Sequence, residues 1–227
     1  MTVRYAPDHA SRAANLPEHQ AIYKQIHDMI LFGRLRPGQP VTIMGLADTV
    51  GAGITPIREA IRRLTAEGAL QALGNRRMCV PEPGAAQIEQ VYFARFAVEP
   101  ELARRAAARA SPDAIKALEA IDDDVDAAIR HGSIEAYMEG NHRFHFALYD
   151  LAEAPTLTKI AASLWLQIGP SLRVVGGRFG TSNLPDMHSE TLTALKDRDG
   201  DAAASALRDD IAQGRDLLAQ SFPEARV

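Results

Sequence analysis

GITPIREAIRRLTAEGAL, residues Gly53 to Leu70, decides how the rest of the chain is read. Taken as a helix, it places Ile57, Ala60, Ile61 and Leu64 on one face at three- and four-residue spacing. Arg58, Arg62, Arg63 and Glu67 fall largely on other faces. Thr55 is expected as the N-cap, with Pro56 at the first helical position, where its missing N–H costs nothing, and Glu59 supporting the first turn. Gly68 ends the helix. A short helix with arginines outside, followed by the wing-like run Ala69–Val80, has the shape of an element that reads DNA.

Moving toward the N-terminus, Ile22, Ile26, Met29 and Ile30 make a helical stripe between Pro17 and Phe32, closed by Gly33. Pro37-Gly38 marks a turn, and Val41 and Ile43 lead into a second short helix, Met44–Val50. On the other side, Leu70–Leu73 and Met78–Val80 can pair as a hairpin around Gly74-Asn75. Three helices and a two-stranded wing over residues 17–82 make a winged helix-turn-helix. Residues 1–16 carry no apolar period and are taken as a flexible arm.

Beyond the linker Glu82-Pro83-Gly84 there is little strand signal. Amphipathic helices are expected at 86–110, 112–131, 133–153, 155–175, 185–198 and 200–220, with Ser111-Pro112 and Ala154-Pro155 as boundaries. Gly176–Asn183, with three glycines, is expected as a weakly structured insert. The fold class is therefore mainly α: a winged helix followed by an all-helical bundle over 83–227, large enough to bury its own core and a ligand.

Composition narrows the function classes. The chain has 227 residues, 46% hydrophobic and 24% charged, with a single cysteine, Cys79, so a disulfide framework is excluded. No apolar run approaches the roughly 20 residues of a membrane span, and no signal pattern opens the chain, which makes the cytoplasm the expected compartment. Residues 1–82 carry 10 Lys and Arg against 7 Asp and Glu, whereas residues 83–227 carry 15 against 22. Chance unevenness is one explanation; a basic DNA-binding module joined to an acidic partner domain is the other.

Several motifs carry a family resemblance. Ile30-x-x-Gly33-x-Leu35-x-Pro37-Gly38, Leu46-Ala47, Thr55-Pro56-Ile57-Arg58-Glu59-Ala60 and Leu64-x-x-Glu67-Gly68 resemble the winged helix of GntR-type bacterial regulators. Arg95-x-x-x-Glu99 and Asn141-His142-Arg143-Phe144-His145 resemble the helical ligand-binding domain of their FadR-like subgroup, the FCD domain. The similarity runs over about residues 17–218. The resemblance implies that Arg34, Thr55, Pro56, Arg58, Asn75 and Arg76 meet double-stranded operator DNA. Arg58 also has a physical claim, since a guanidinium in the first turn of a recognition helix can bind guanine bidentately. Arg62 and Arg63 are better explained as solvated charges or as partners of Glu59 and Glu67. The family usually has Ser-Arg before Thr-Pro; this chain has Gly53-Ile54.

In the helical half, the inward stripe Ile134, Tyr137, Met138, Asn141, His145, Leu148, Ala152 is interrupted by two polar residues one turn apart. Burying them unpaired costs about 1–3 kcal/mol each. His188 is in phase with Thr191, Leu192 and Leu195, and Asp210 with Leu207 and Leu217. Asn141, His145, His188 and Asp210 can therefore converge on one divalent cation, with zinc or nickel the first expectation. Metal-binding members of the family use Asp or Asn and then three histidines; Asp210 stands in place of the third. The alternative is that the histidines are core residues bonded to each other or to Tyr137. His142 and His131 sit off the stripe and are expected at the surface. Arg95 and Arg173 are candidates for a ligand carboxylate, with Glu99 the alternative partner of Arg95.

The resemblance implies a homodimeric, metabolite-responsive repressor of a palindromic operator, with a small organic acid as effector and no membrane partner. Two other readings compete: a metal-dependent hydrolase with an attached DNA-binding module, and a direct metal-ion sensor. The hydrolase reading lacks an HExxH, a nucleophile elbow or a phosphate loop.

Overall fold

The first described helix of the computed structural model, α1 (Glu18–Leu31), buries Ile22, Ile26 and Ile30 of the expected stripe, together with Leu31, while Met29 is half-buried. The structure describes residues 17–74, 77–179 and 185–221. After α1 come β1 (Pro40–Val41), α2 (Ile43–Val50), α3 (Ile54–Ala66), β2 (Gln71–Gly74) and β3 (Arg77–Cys79). Thr42 caps α2 by accepting the Gly45 amide at 3.0 Å, and Gly51 closes it in the left-handed region.

Helix α3 starts two residues earlier than its sequence suggests. Gly53 is the N-cap and makes no side-chain cap bond, so Thr55 and Pro56 both lie inside the first turn. A glycine caps nearly as well as a hydroxyl residue, and Pro56 still lies where no intrahelical N–H is required. Its C-terminus is a Schellman motif. Gly68, at φ +77°, donates to the Thr65 carbonyl at 3.1 Å, and Ala69 donates to that of Leu64 at 2.9 Å. The buried face is Ile57, Ala60, Ile61 and Leu64.

The wing has one more strand than the expected hairpin. The order is β1-β3-β2, all antiparallel, with Val41 opposite Met78 and Ala72 opposite Met78 on the other side. A two-residue strand beside Pro37-Gly38 has too little alternation to stand out in sequence.

Among the described residues six helices follow: α4 (Ala85–Arg109), α5 (Pro112–Arg130), α6 (Ile134–Leu151), α7 (Pro155–Phe179), α8 (Met187–Asp197) and α9 (Gly200–Ser221). Ser111, Ser133 and Asp186 cap α5, α6 and α8. Pro100 lies inside α4, where its ring removes the bond to the Phe96 carbonyl; Arg208 of α9 donates to that oxygen instead, at 3.4 Å. Helix α7 continues through Gly176 and Gly177 to Phe179, so the first part of the expected insert is helical. Residues 180–183 lie outside the described residues.

Two hydrophobic clusters organise the chain. One is built from α4 to α9 around Leu102, Phe144, Leu148, Tyr149 and Ile168. The other fills the winged helix around Ile26, Ile30, Ile57 and Leu64, and it includes Trp165 and Leu166 of α7. The winged helix is thus seated on α7. Gly169 permits the approach: a Cβ there would lie 2.5 Å from the Leu31 carbonyl oxygen. No helix among the described residues is long and apolar enough to cross a membrane.

Candidate functional site

His145 of α6 is fully buried, His188 of α8 nearly so, and Asp210 of α9 keeps 23% of its side-chain exposure. One ligand-type atom from each lies within 4.8 Å of the others. Helical phase delivers them. His145 shares a face with Leu148, His188 with Thr191, Leu192 and Leu195, and Asp210 follows Leu207 by three residues, whereas Asp209 is exposed. Asn141 is half-buried one turn before His145.

The electrostatics favour a cation. Burial, the strongest influence, holds His145 below the ordinary histidine range despite the pull of Asp210. Burial alone would raise Asp210, but His145, His188 and Arg95 together carry it below the usual carboxylate range. His145 Nε2 lies 3.2 Å from Asp210 Oδ2, yet this buried nitrogen has no hydrogen bond of proper geometry. Such an orphaned ligand atom beside an anion is what a divalent cation would satisfy, and two imidazoles with one carboxylate suit zinc or nickel. The residues present fit the group.

Sequence reading passed over the residues that hold this cluster. Asp122 of α5 accepts from His188 Nδ1 at 2.7 Å. For His188, burial presses downward, but Asp122 and Asp210 outweigh it and raise its pKa. Asp122 lies in the Ile115–Leu118–Val125 phase of α5, so its inward position was available from periodicity, though hidden in an acidic run. Tyr149 lies 3.2 Å from His145 Nδ1 and donates its hydroxyl to Glu99 at 2.6 Å. Trp165 Nε1 donates to the same Glu99 oxygen at 3.1 Å.

Arg95 is buried and donates through Nε and Nη2 to both oxygens of Glu99, at 2.6 and 3.0 Å. The alternative partner is therefore present, and the guanidinium keeps three further N–H groups for another acceptor. Arg173 falls within α7, with its side chain outside the described residues. His142 corrects the sequence expectation of a surface residue. It stacks on Phe146 at 4.2 Å between centroids and meets Trp165 and Phe32 edge-on. Burial, helped by His145, pushes its pKa down to about 3. Periodicity misplaced it because its face is covered jointly by Trp165 of α7 and by Phe32 at the end of α1.

At the other end, Thr55 and Arg58 are exposed and Pro56 is half-buried. Arg58 and Arg62 make no ion pair among the described residues. Arg63 pairs with Glu67 at 2.9 Å and lies over the Tyr23 ring. Arg34 is held by Glu135 and Glu139 of α6, each at 2.7 Å. Asn75 and Arg76 lie outside the described residues. Ile54, in place of the family's arginine, is exposed.

Comparisons with known proteins agree with this architecture. The model of bacterial regulatory proteins of the gntR family matches residues 18–80, and that of the FCD domain matches residues 90–213. The chain is 26% identical over 205 residues to the HTH-type transcriptional regulator McbR of Escherichia coli, covering 88% of this chain and 92% of that protein. It is 27% identical over 195 residues to the transcriptional repressor RspR of Escherichia coli, 84% of each chain. Among solved structures, McbR superposes with a TM-score of 0.85 at 24% identity, covering 91% of this chain and 99% of that one. A GntR regulator from Rhodococcus gives 0.73 at 20% identity, covering 90% and 98%. These relatives are transcription regulators, which sets the hydrolase reading aside. The chain is a DNA-binding transcription regulator and belongs to the gntR family, in the group that carries an FCD domain.

Proposed function

We infer that this regulator is a homodimeric repressor whose hold on a palindromic operator is set by a small organic acid bound beside a divalent cation in the helical bundle. His145, His188 and Asp210 would hold the cation, with Asn141 a fourth candidate from the turn before. Zinc or nickel suits the set, and when bound it supplies a positive centre for an acid's oxygens. Arg95 would offer its remaining N–H groups to the same acid, and Arg173 is a second candidate. Thr55, Pro56 and Arg58 would meet the operator at the recognition helix, joined by Arg34, Asn75 and Arg76. The cytoplasm is the compartment this reading implies.

The observation that carries the reading is the unsatisfied His145 Nε2 facing Asp210. The route to the DNA end is short. Trp165 lies 4.9 Å from the His145 ring and is itself part of the winged-helix core. A shift at the cation site can therefore alter how the reading heads are seated, and dimeric half-sites demand a fixed spacing. A thermal-shift screen of small carboxylic acids, with and without zinc or nickel, tests this on wild type and His145→Ala. A binder should raise the melting temperature of wild type only when metal is present. An acid that stabilises both proteins equally, without metal, would contradict the reading.

A further inference from the structure

The two histidines are each engaged at Nδ1 by a side chain that fixes where the ring hydrogen sits. Glu99, fully buried, accepts from Arg95 Nε and Nη2, from the Tyr149 hydroxyl and from Trp165 Nε1. All four groups are donors, so the single hydroxyl hydrogen of Tyr149 is committed to Glu99. Facing His145, the Tyr149 oxygen can only accept, and His145 Nδ1 at 3.2 Å must carry the hydrogen. Nε2 is then bare, and it is the atom without a partner beside Asp210. On the other side, Asp122 Oδ1 lies 2.7 Å from His188 Nδ1. A carboxylate accepts, so in the neutral ring the hydrogen again sits on Nδ1.

We propose that Tyr149, oriented by Glu99, and Asp122 are positioning residues that lock both histidines in the Nδ1–H tautomer and present two bare Nε2 atoms to the cation. A free histidine in water favours the opposite tautomer, so the lock removes a rearrangement that metal binding would otherwise require. Partners of this kind typically contribute 10–100-fold in metal affinity. The functional consequence rests on the cation reading above; the tautomers are a property of the metal-free chain.

Two measurements on the full-length, metal-stripped protein separate these. Long-range proton–nitrogen NMR on protein with nitrogen-15 histidine, above the ordinary histidine range of pH, shows which ring nitrogen bears hydrogen. Competition with a chromophoric chelator for zinc gives affinity. Both histidines should be Nδ1–H in wild type. Tyr149→Phe should release His145 alone and weaken zinc binding by about 10–100-fold. Asp122→Ala should do the same through His188, while Asp122→Asn, which keeps an accepting oxygen, should retain most of the affinity. Asp122 is at the edge of the core, so its variants keep the test open if Tyr149→Phe does not fold. An Nε2–H form of either histidine in wild type overturns the proposal, as does a lost tautomer with unchanged zinc affinity. Two Nδ1–H histidines in a wild type that binds zinc no better than His145→Ala would overturn the positioning role by way of the cation reading, with the tautomers intact.

Discussion

Arg34 donates its Nε hydrogen to Glu135 at 2.7 Å, tying the turn after α1 to the first turn of α6. Its Nη2 reaches Glu139 one turn further on. All three side chains are nearly half exposed, so the pair of bridges contributes roughly 0–1 kcal/mol each to stability. Glu135→Ala with Glu139→Ala should change the unfolding free energy by less than about 2 kcal/mol. The same double variant frees Arg34 and removes two negative charges from its surroundings, so operator binding should tighten and its salt dependence steepen. Fluorescence-anisotropy titrations at several salt concentrations check this.

Arg58 is exposed in the first turns of α3 with no ion-pair partner among the described residues. Arg58→Ala should weaken operator binding by about 1–3 kcal/mol with the melting temperature little changed. A gel-shift titration showing wild-type affinity would remove Arg58 from the base-reading set.

Gly169 of α7 lies against the end of α1. The atom facing a new Cβ is the Leu31 carbonyl oxygen, at 2.5 Å, and a backbone oxygen at the end of α1 cannot rotate aside. Gly169→Ala should therefore force the two parts apart and destabilise the protein by about 1–3 kcal/mol despite the better helix propensity of alanine. Urea denaturation measures it, and a stabilised variant would contradict the seating described here.

His142 ties stability to pH. Its pKa is pushed from 6.5 to about 3 by burial among Phe32, Phe146 and Trp165, with a smaller contribution from His145. Between these values the unfolded chain binds a proton that the folded chain does not, so this contribution is complete above about pH 6.5 and is lost as pH falls toward 3. The slope is at most about 1.4 kcal/mol per pH unit. His142→Phe should flatten that part of the stability profile.

The winged helix was legible because its signals are local. Ile57, Ala60, Ile61 and Leu64 repeat at helical spacing, and Gly68 closes the helix by a motif confined to Leu64–Ala69. What escaped depended on contacts across the chain. Val41 becomes a strand only because Met78 lies beside it, and His142 is covered because Trp165 and Phe32, both distant in sequence, close over it. Periodicity found His145, His188 and Asp210, because each interrupts or joins an apolar face. It did not find Tyr149, which reads as an ordinary aromatic, nor Asp122, which reads as one acid among several. Their roles come from which ring nitrogen they face, and no spacing rule encodes that.

The central claim is that the bundle holds a divalent cation through His145, His188 and Asp210. Equilibrium dialysis of stripped wild type and His145→Ala against zinc or nickel, with bound metal counted per chain, tests it most directly. One tightly held ion per wild-type chain, lost in His145→Ala, is the predicted result. Equal metal content in the two proteins would contradict it.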